Sequence, residues 1–224
     1  MTRPWRIVER FDTAEGTLEL RQRGGRDFLI TIDGRILMNA AGNLSEIVLG
    51  RLACEPLPER PAPRVLVGGL GMGFTLRAAL DALPAEAVVV TVELNPAVVD
   101  WCRGPLAPLT GGAVDDPRVA VVIGDVAASI REAAGRGEED RFDAVVLDLY
   151  EGPHDGDGGR NDHVWGRAAL ARTRAALRPG GILAAWSEDP CPSFERRLRS
   201  TGFTVRRHRP GRGSRHTVYI CRRG

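Results

Sequence analysis

Residues 64–75, RVLVGGLGMGFT, carry a buried-strand pattern straight into a glycine-rich turn, and the next apolar strand, VVVTV, delivers Glu93. That combination suits a nucleotide-like ligand. Glycines let the backbone approach a ligand closely, and an acid ending the neighbouring strand can accept hydrogen bonds from both ribose hydroxyls. The bland alternative is a tight turn that needs glycine only for packing. Two further acids obey the same positional rule: RVAVVI runs into Gly124-Asp125, and FDAVVLD ends in Asp148. Any one of them could be a helix N-cap. All three together make a polar cluster that folding alone does not require.

The residue types also discriminate between ligands. A phosphate-binding loop needs GxxxxGK[ST], and none of the 31 basic residues is a lysine. A dinucleotide would leave Asp125 without a natural partner. An adenosine bearing a cationic sulfonium fits better. Glu93 would take the ribose, Asp125 the exocyclic amine of adenine, and the glycine turn the amino-acid tail. Carboxylates near a sulfonium are electrostatically favourable.

The elements that must position these residues alternate regularly. Strands at 64–67, 87–92, 118–123 and 142–148 are each followed by a helix or a long loop. The expected helices are Thr75–Leu83, Asn95–Cys102, Val126–Ala134 and, after the loop, Val164–Leu177. LRPGG stops the last of these before a strand at 182–186 and a helix at Ser193–Ser200. FTVRRHR and RHTVYIC then read as a closing hairpin. Apolar strands between helices mean a sheet covered on both faces, hence an α/β fold with a mostly parallel sheet of seven strands and an antiparallel strand from the C-terminal hairpin. Residues 5–38 read as short antiparallel strands with Asp33-Gly34 in a turn. A helix follows with Leu44, Ile47, Val48 and Leu52 at helical spacing. Prolines 56, 58, 61 and 63 then break the chain. The expected division is a small β-rich N-terminal domain, 1–60, and a ligand-binding domain, 61–224.

Composition narrows the rest. The chain has 224 residues and a net charge of +2, so nothing global points to nucleic acid. Arg196, Arg197, Arg199, Arg206, Arg207, Arg209, Arg212 and Arg215 cluster near the end without aromatic residues between them, and read as a solvated face. No membrane span or apolar signal core is evident, which predicts a cytoplasmic protein. Four scattered cysteines predict reduced, buried thiols rather than disulfides or zinc.

VLVGGLGMGFTLR, VVVTVELNPAVV, DPRVAVVIGD, FDAVVLD and LRPGGIL together resemble the spermidine synthase family, a branch of the class I S-adenosylmethionine-dependent transferases. The similarity covers about residues 16–222. It implies a Rossmann-like sheet and a donor that is S-adenosylmethionine or its decarboxylated form. The donor-binding set it implies is Gly69, Gly71, Met72, Gly73, Glu93, Leu94, Asp125, Val126 and Asp148. IDGRILM resembles the family's N-terminal strand domain and implies a homodimer or homotetramer built through those strands.

Departures from the pattern bear on the reaction. The family's acid in the glycine turn is Met72 here, its glutamine after the DG turn falls at Leu37, and the tyrosine of its YHE-like segment falls at Leu44, leaving Ser45-Glu46. The signature D-S-S-D-P reads Asp148-Leu149-Tyr150-Glu151-Gly152-Pro153. The adenosine half therefore looks intact while much of the polyamine half is lost. On this basis the leading expectation is a methyltransferase acting on a small-molecule acceptor, with Asp148, Tyr150 and Glu151 as catalytic candidates. Aminopropyl transfer from decarboxylated S-adenosylmethionine and a non-catalytic family member are the alternatives. His154 is a further candidate base or a solvated loop residue. Gly152–His163 is a candidate lid, and no metal site is expected beyond a weak Asp155-x-Asp157 pair.

Overall fold

The computed structural model describes residues 3–57, 59–154 and 162–224. The N-terminal part is a four-stranded antiparallel meander of β1 (Arg6–Thr13), β2 (Gly16–Arg23), β3 (Asp27–Ile32) and β4 (Arg35–Asn39). Asp33 and Gly34 both take positive φ, at 47° and 77°, the two-residue turn whose twist matches the strands it joins.

Helix α1 (Leu44–Cys54) leads into the second unit. Its order is β5 (Arg64–Gly68), α2 (Phe74–Ala82), β6 (Val88–Glu93), α3 (Pro96–Arg103), a single turn α4 (Ala107–Thr110) and β7 (Val119–Ile123). Then follow α5 (Val126–Gly135), β8 (Phe142–Leu147), α6 (Asp162–Trp165), α7 (Arg167–Ala176) and β9 (Leu177–Ser187). The chain closes with α8 (Pro192–Ser200), β10 (Phe203–His208) and β11 (Thr217–Arg223). The seven strands lie in the order β10-β11-β9-β8-β5-β6-β7, with β11 antiparallel to both of its neighbours.

Alternation along each central strand feeds two separate cores. Val65, Val67, Ala144, Val146, Ile182 and Ala184 face one side, with α1, α2 and α3. Leu66, Val145, Leu147, Leu183 and Ala185 face the other, with α5, α7 and α8. The first core also takes in Leu18, Leu20, Phe28, Ile30 and Ile32 of the N-terminal sheet. Trp101 of α3, fully buried, clamps that sheet further: its indole N–H donates to Glu9 at 2.7 Å. All four cysteines are buried free thiols.

Two expectations need correction. The helix expected over 164–177 is broken at Gly166, whose extended backbone separates α6 from α7, and β9 already begins at Leu177, paired with Phe142. Helix α1 is also rotated from its apolar periodicity. Leu44 and Ile47 stand exposed, while Ser45, Leu49, Gly50, Ala53 and Cys54 are buried. The cause is close packing on α2, where a β-carbon at Gly50 would meet the carbonyl oxygen of Thr75 at 2.4 Å. Small residues set the helix–helix distance here, and that distance decides which face turns inward.

Candidate active site

The glycine turn is stitched into both neighbouring strands. Gly69 donates its N–H to Val92 of β6, and Asp148, just past β8, donates to Gly68, each at 2.9 Å. Gly69 has φ +85°, and a β-carbon on it would lie 2.2 Å from the carbonyl oxygen of Asp148. Gly71 lies under Met38 of β4, whose sulfur would be 2.3 Å from an added β-carbon. Strand β4 therefore lies directly against the turn. The buried thiol of Cys102 donates to the Gly71 carbonyl, and burial together with the charge of Glu93 pushes that thiol up to about 12.

Glu93 ends β6 and is held at both oxygens. Oε2 accepts from the Leu70 N–H and Oε1 from the Asn95 N–H, both at 2.9 Å. Each oxygen keeps a lone pair, the arrangement a vicinal diol requires. Helix α3 has its own cap, since the Asn95 side chain accepts from Ala97, so Glu93 is not serving as one. Asp125 does serve as a cap. Its Oδ1 accepts from the Ala127 N–H at 2.9 Å at the start of α5, with His163 Nε2 at 3.9 Å. Leu94 is exposed beside Glu93.

Met72 and Val126 turn their side chains into the two cores. Met72 is fully buried in the first core, and Val126 packs its methyl groups against Gly68.

Asp148 is recessed and accepts from the Thr75 hydroxyl. Burial, reinforced by the nearby charge of Glu46, pushes its carboxyl from an ordinary 3.8 up to about 7, against a small opposing effect of the Thr75 bond. Tyr150 is exposed, with the Arg35 guanidinium of β4 at 5.0 Å over its ring. Glu151 is exposed farther along, its carbonyl accepting from the Trp165 indole at 3.0 Å. The structure thus brings the glycine turn, Glu93, Asp148 and Thr75 into one hydrogen-bonded unit, with Asp125 at the adjoining strand end. Tyr150, Glu151 and the exposed His154 sit outside it. Asp155 and Asp157, and most of the expected lid, lie outside the described residues.

Two neighbours of the site, His216 and Arg35, were missed from sequence, and Ser45-Glu46 were noted there without a position in the fold. Inward rotation of α1 brings Ser45 and Glu46 toward Asp148, and His216, just before β11, bonds Ser45. Arg35 reaches over Tyr150 from β4. No motif marks His216 or Arg35. A surface cavity of about 510 Å³ between Arg26, Asn43, Phe74 and Leu109 lies beside the turn and includes none of the expected site residues. The arginines near the C-terminus are partly paired: Arg199 and Arg207 with Glu195, and Arg215 with Glu188 and Asp189.

A sheet of this order, with its reversed strand β11, is the Rossmann-like fold of the class I methyltransferases. Within that class the chain belongs to the spermine/spermidine synthase family, whose domain model matches residues 53–198. The polyamine aminopropyltransferase of Mycobacterium tuberculosis is 35% identical over 150 residues, covering 64% of this chain and 27% of its own length. Putrescine N-methyltransferase 2 of Nicotiana tabacum is 31% identical over 163 residues, 71% of this chain and 42% of its own. The chain thus spans less than half the length of these two relatives. A spermidine synthase solved with the transition-state analogue AdoDATO matches 98% of this chain and 74% of its own, with a TM-score of 0.75 at 19% identity. Human methyltransferase-like protein 13, solved with SAH, matches 83% and 82%, with a TM-score of 0.58 at 20% identity. Both structural likenesses concern the fold.

Proposed function

We propose that the chain transfers an alkyl group from an adenosyl-sulfonium donor to an amine acceptor, with Asp148 as the base. The carrying observation is Asp148 itself, recessed at a strand end beside the glycine turn, with its proton affinity raised to about 7. A free alkylamine holds its proton up to about pH 10, so a base poised near neutrality must take that proton before nitrogen can attack. The donor, S-adenosylmethionine or its decarboxylated form, supplies an electrophilic carbon whose bond to sulfur breaks as the new C–N bond forms. Glu93 would hold the ribose hydroxyls and the second oxygen of Asp125 the adenine amine. Glu46 and Asp148 would attract the acceptor's positive charge.

The aminopropyltransferase relatives and the retained Asp148 and Glu46 favour aminopropyl transfer from the decarboxylated donor. This reverses the preference drawn from Met72, Leu37 and Leu44 alone. Methyl transfer is the second reading, supported by the putrescine N-methyltransferase relative and by a glycine turn whose family acid is the buried Met72. Incubation with each donor and 1,4-diaminobutane, followed by mass analysis, separates the two. Aminopropyl addition is expected; methyl addition alone would reverse the choice, and no addition from either donor would overturn group transfer.

Self-association through the N-terminal sheet is also proposed. Both β1 and β4 are edge strands, and Ile7, Phe11 and Ile36 are exposed on them. Light scattering after gel filtration should give a dimer or tetramer, and Ile36→Arg should shift it toward monomer.

A further inference from the structure

We propose that His216 is a positioning residue of the acceptor subsite, holding the Glu46 carboxylate beside Asp148 through the hydroxyl of Ser45. This deepens the preceding proposal and rests on its assignment of Asp148.

Ser45 is 3% exposed, on the inward face of α1. Its Oγ lies 2.5 Å from Glu46 Oε2 and 3.1 Å from His216 Nδ1. A hydroxyl has one proton to give. A carboxylate can only accept it, so the Ser45 proton goes to Glu46 and Nδ1 must donate to Ser45. The neutral imidazole is thereby confined to the Nδ1–H tautomer, with the lone pair on Nε2. The ring is steadied edge-on against Trp186, with centroids 5.2 Å apart, and its backbone N–H is tied to Ser214. Histidine and carboxylate come from elements far apart in the chain, β11's leading edge and the first turn of α1. Their link exists only in the folded site.

The consequence is a second carboxylate held in place for a cationic acceptor. Without the Ser45 bond, the half-buried Glu46 side chain is free to turn toward solvent. Its charge then no longer opposes ionisation of Asp148, and an alkylammonium loses one of its two anionic partners. The Thr75 hydroxyl that donates to Asp148 also lies 3.3 Å from the Glu46 carbonyl, so the first turn of α1 borders the acid, and Glu46 is the charged group that acts on it. Around His216 the charged groups are Glu46 and the neighbouring Arg215, which is itself paired with Glu188 and Asp189.

Two substitutions separate hydrogen bonding from packing. His216→Asn retains an N–H at the Nδ1 position and loses the ring, whereas His216→Phe retains the ring against Trp186 and loses the N–H. Imidazole nitrogen shifts of the ¹⁵N-labelled protein, without donor or acceptor, should report the Nδ1–H tautomer, and Ser45→Ala should abolish that preference. This readout stands whether or not Asp148 proves to be the base. With 1,4-diaminobutane as acceptor, His216→Phe should raise KM about tenfold, as the acceptor's ammonium loses its charge-assisted hydrogen bond to Glu46. It should also move the midpoint of the pH–rate profile to lower pH, and His216→Asn should recover most of both effects. An Nε2–H tautomer in the parent, or a Phe variant that matches the parent while Asn does not, would overturn the proposal. If no amine is turned over, acceptor binding measured by calorimetry replaces KM with the same expected order.

Discussion

The N–H of Leu70 donates to Glu93 Oε2 at 2.9 Å, so the glycine turn and the acid on the next strand are one bonded unit rather than two adjacent motifs. Removing the carboxylate should therefore loosen the turn as well as forfeit the ribose contacts proposed for it. Glu93→Ala is expected to weaken methylthioadenosine binding about 10–100-fold, since hydrogen bonds to a charged group contribute roughly 1.5–3 kcal/mol. Calorimetry with methylthioadenosine checks this, and unchanged affinity would refute the ribose assignment.

Asp148 makes both stability and rate depend on pH. Its carboxyl holds its proton to about 7 in the folded protein against an ordinary 3.8. Below about pH 4 both states are protonated and the group has no effect. Between about 4 and 7 the unfolded chain gives up the proton first, so folding stability falls as pH rises, and above 7 the loss is constant. At about 1.4 kcal/mol per unit the ceiling is about 4 kcal/mol. Asp148→Asn should remove that slope in urea titrations at pH 5 and 8. Transfer in the parent should rise through about pH 7, and the variant should lose about 10²–10⁴ in kcat.

Gly69→Ala should be destabilising by more than about 2 kcal/mol. It places a side chain at φ +85° and 2.2 Å from the carbonyl oxygen of Asp148. Gly135→Ala, in the last turn of α5 with open space around it, should be neutral or slightly stabilising. Denaturant midpoints for the pair test whether the turn glycines are needed for more than flexibility.

Asp143, fully buried at the opposite end of β8 from Asp148, accepts from Arg60 at 2.7 Å, Arg178 at 2.9 Å and the Arg64 N–H at 2.8 Å. Asp143→Ala strands those donors and should cost about 3–5 kcal/mol. Nucleoside affinity of the folded fraction should stay within about twofold of the parent. A collapse in affinity at full folding would show that the two ends of the sheet are coupled.

Much of this arrangement was legible in the sequence because it depends on local rules. Strand-end acids and the glycine turn follow from apolar runs that stop at a turn, and the Asp33-Gly34 hairpin from alternating strands joined by residues that favour such a turn. The surroundings of Asp148 on α1 and β11 were not legible, because they are assembled by packing. The face α1 presents is set by Gly50 against α2, which overrides the periodicity of Leu44, Ile47 and Val48. The partner of Ser45 arrives from a hairpin near the other end of the chain. Met72 and Val126 sit at motif positions, yet the turn and the helix start direct their side chains into the cores.

The notch at Gly50 has a further consequence. Glu46 lies four residues earlier on the same helix, so the depth at which α1 seats on α2 also sets where that carboxylate stands relative to Asp148. Under the proposed function, acceptor choice would then be adjustable from a distance. Enlarging residue 50, or trimming Ala78 beneath it, should change which amine chain lengths are used without touching any residue that meets the amine.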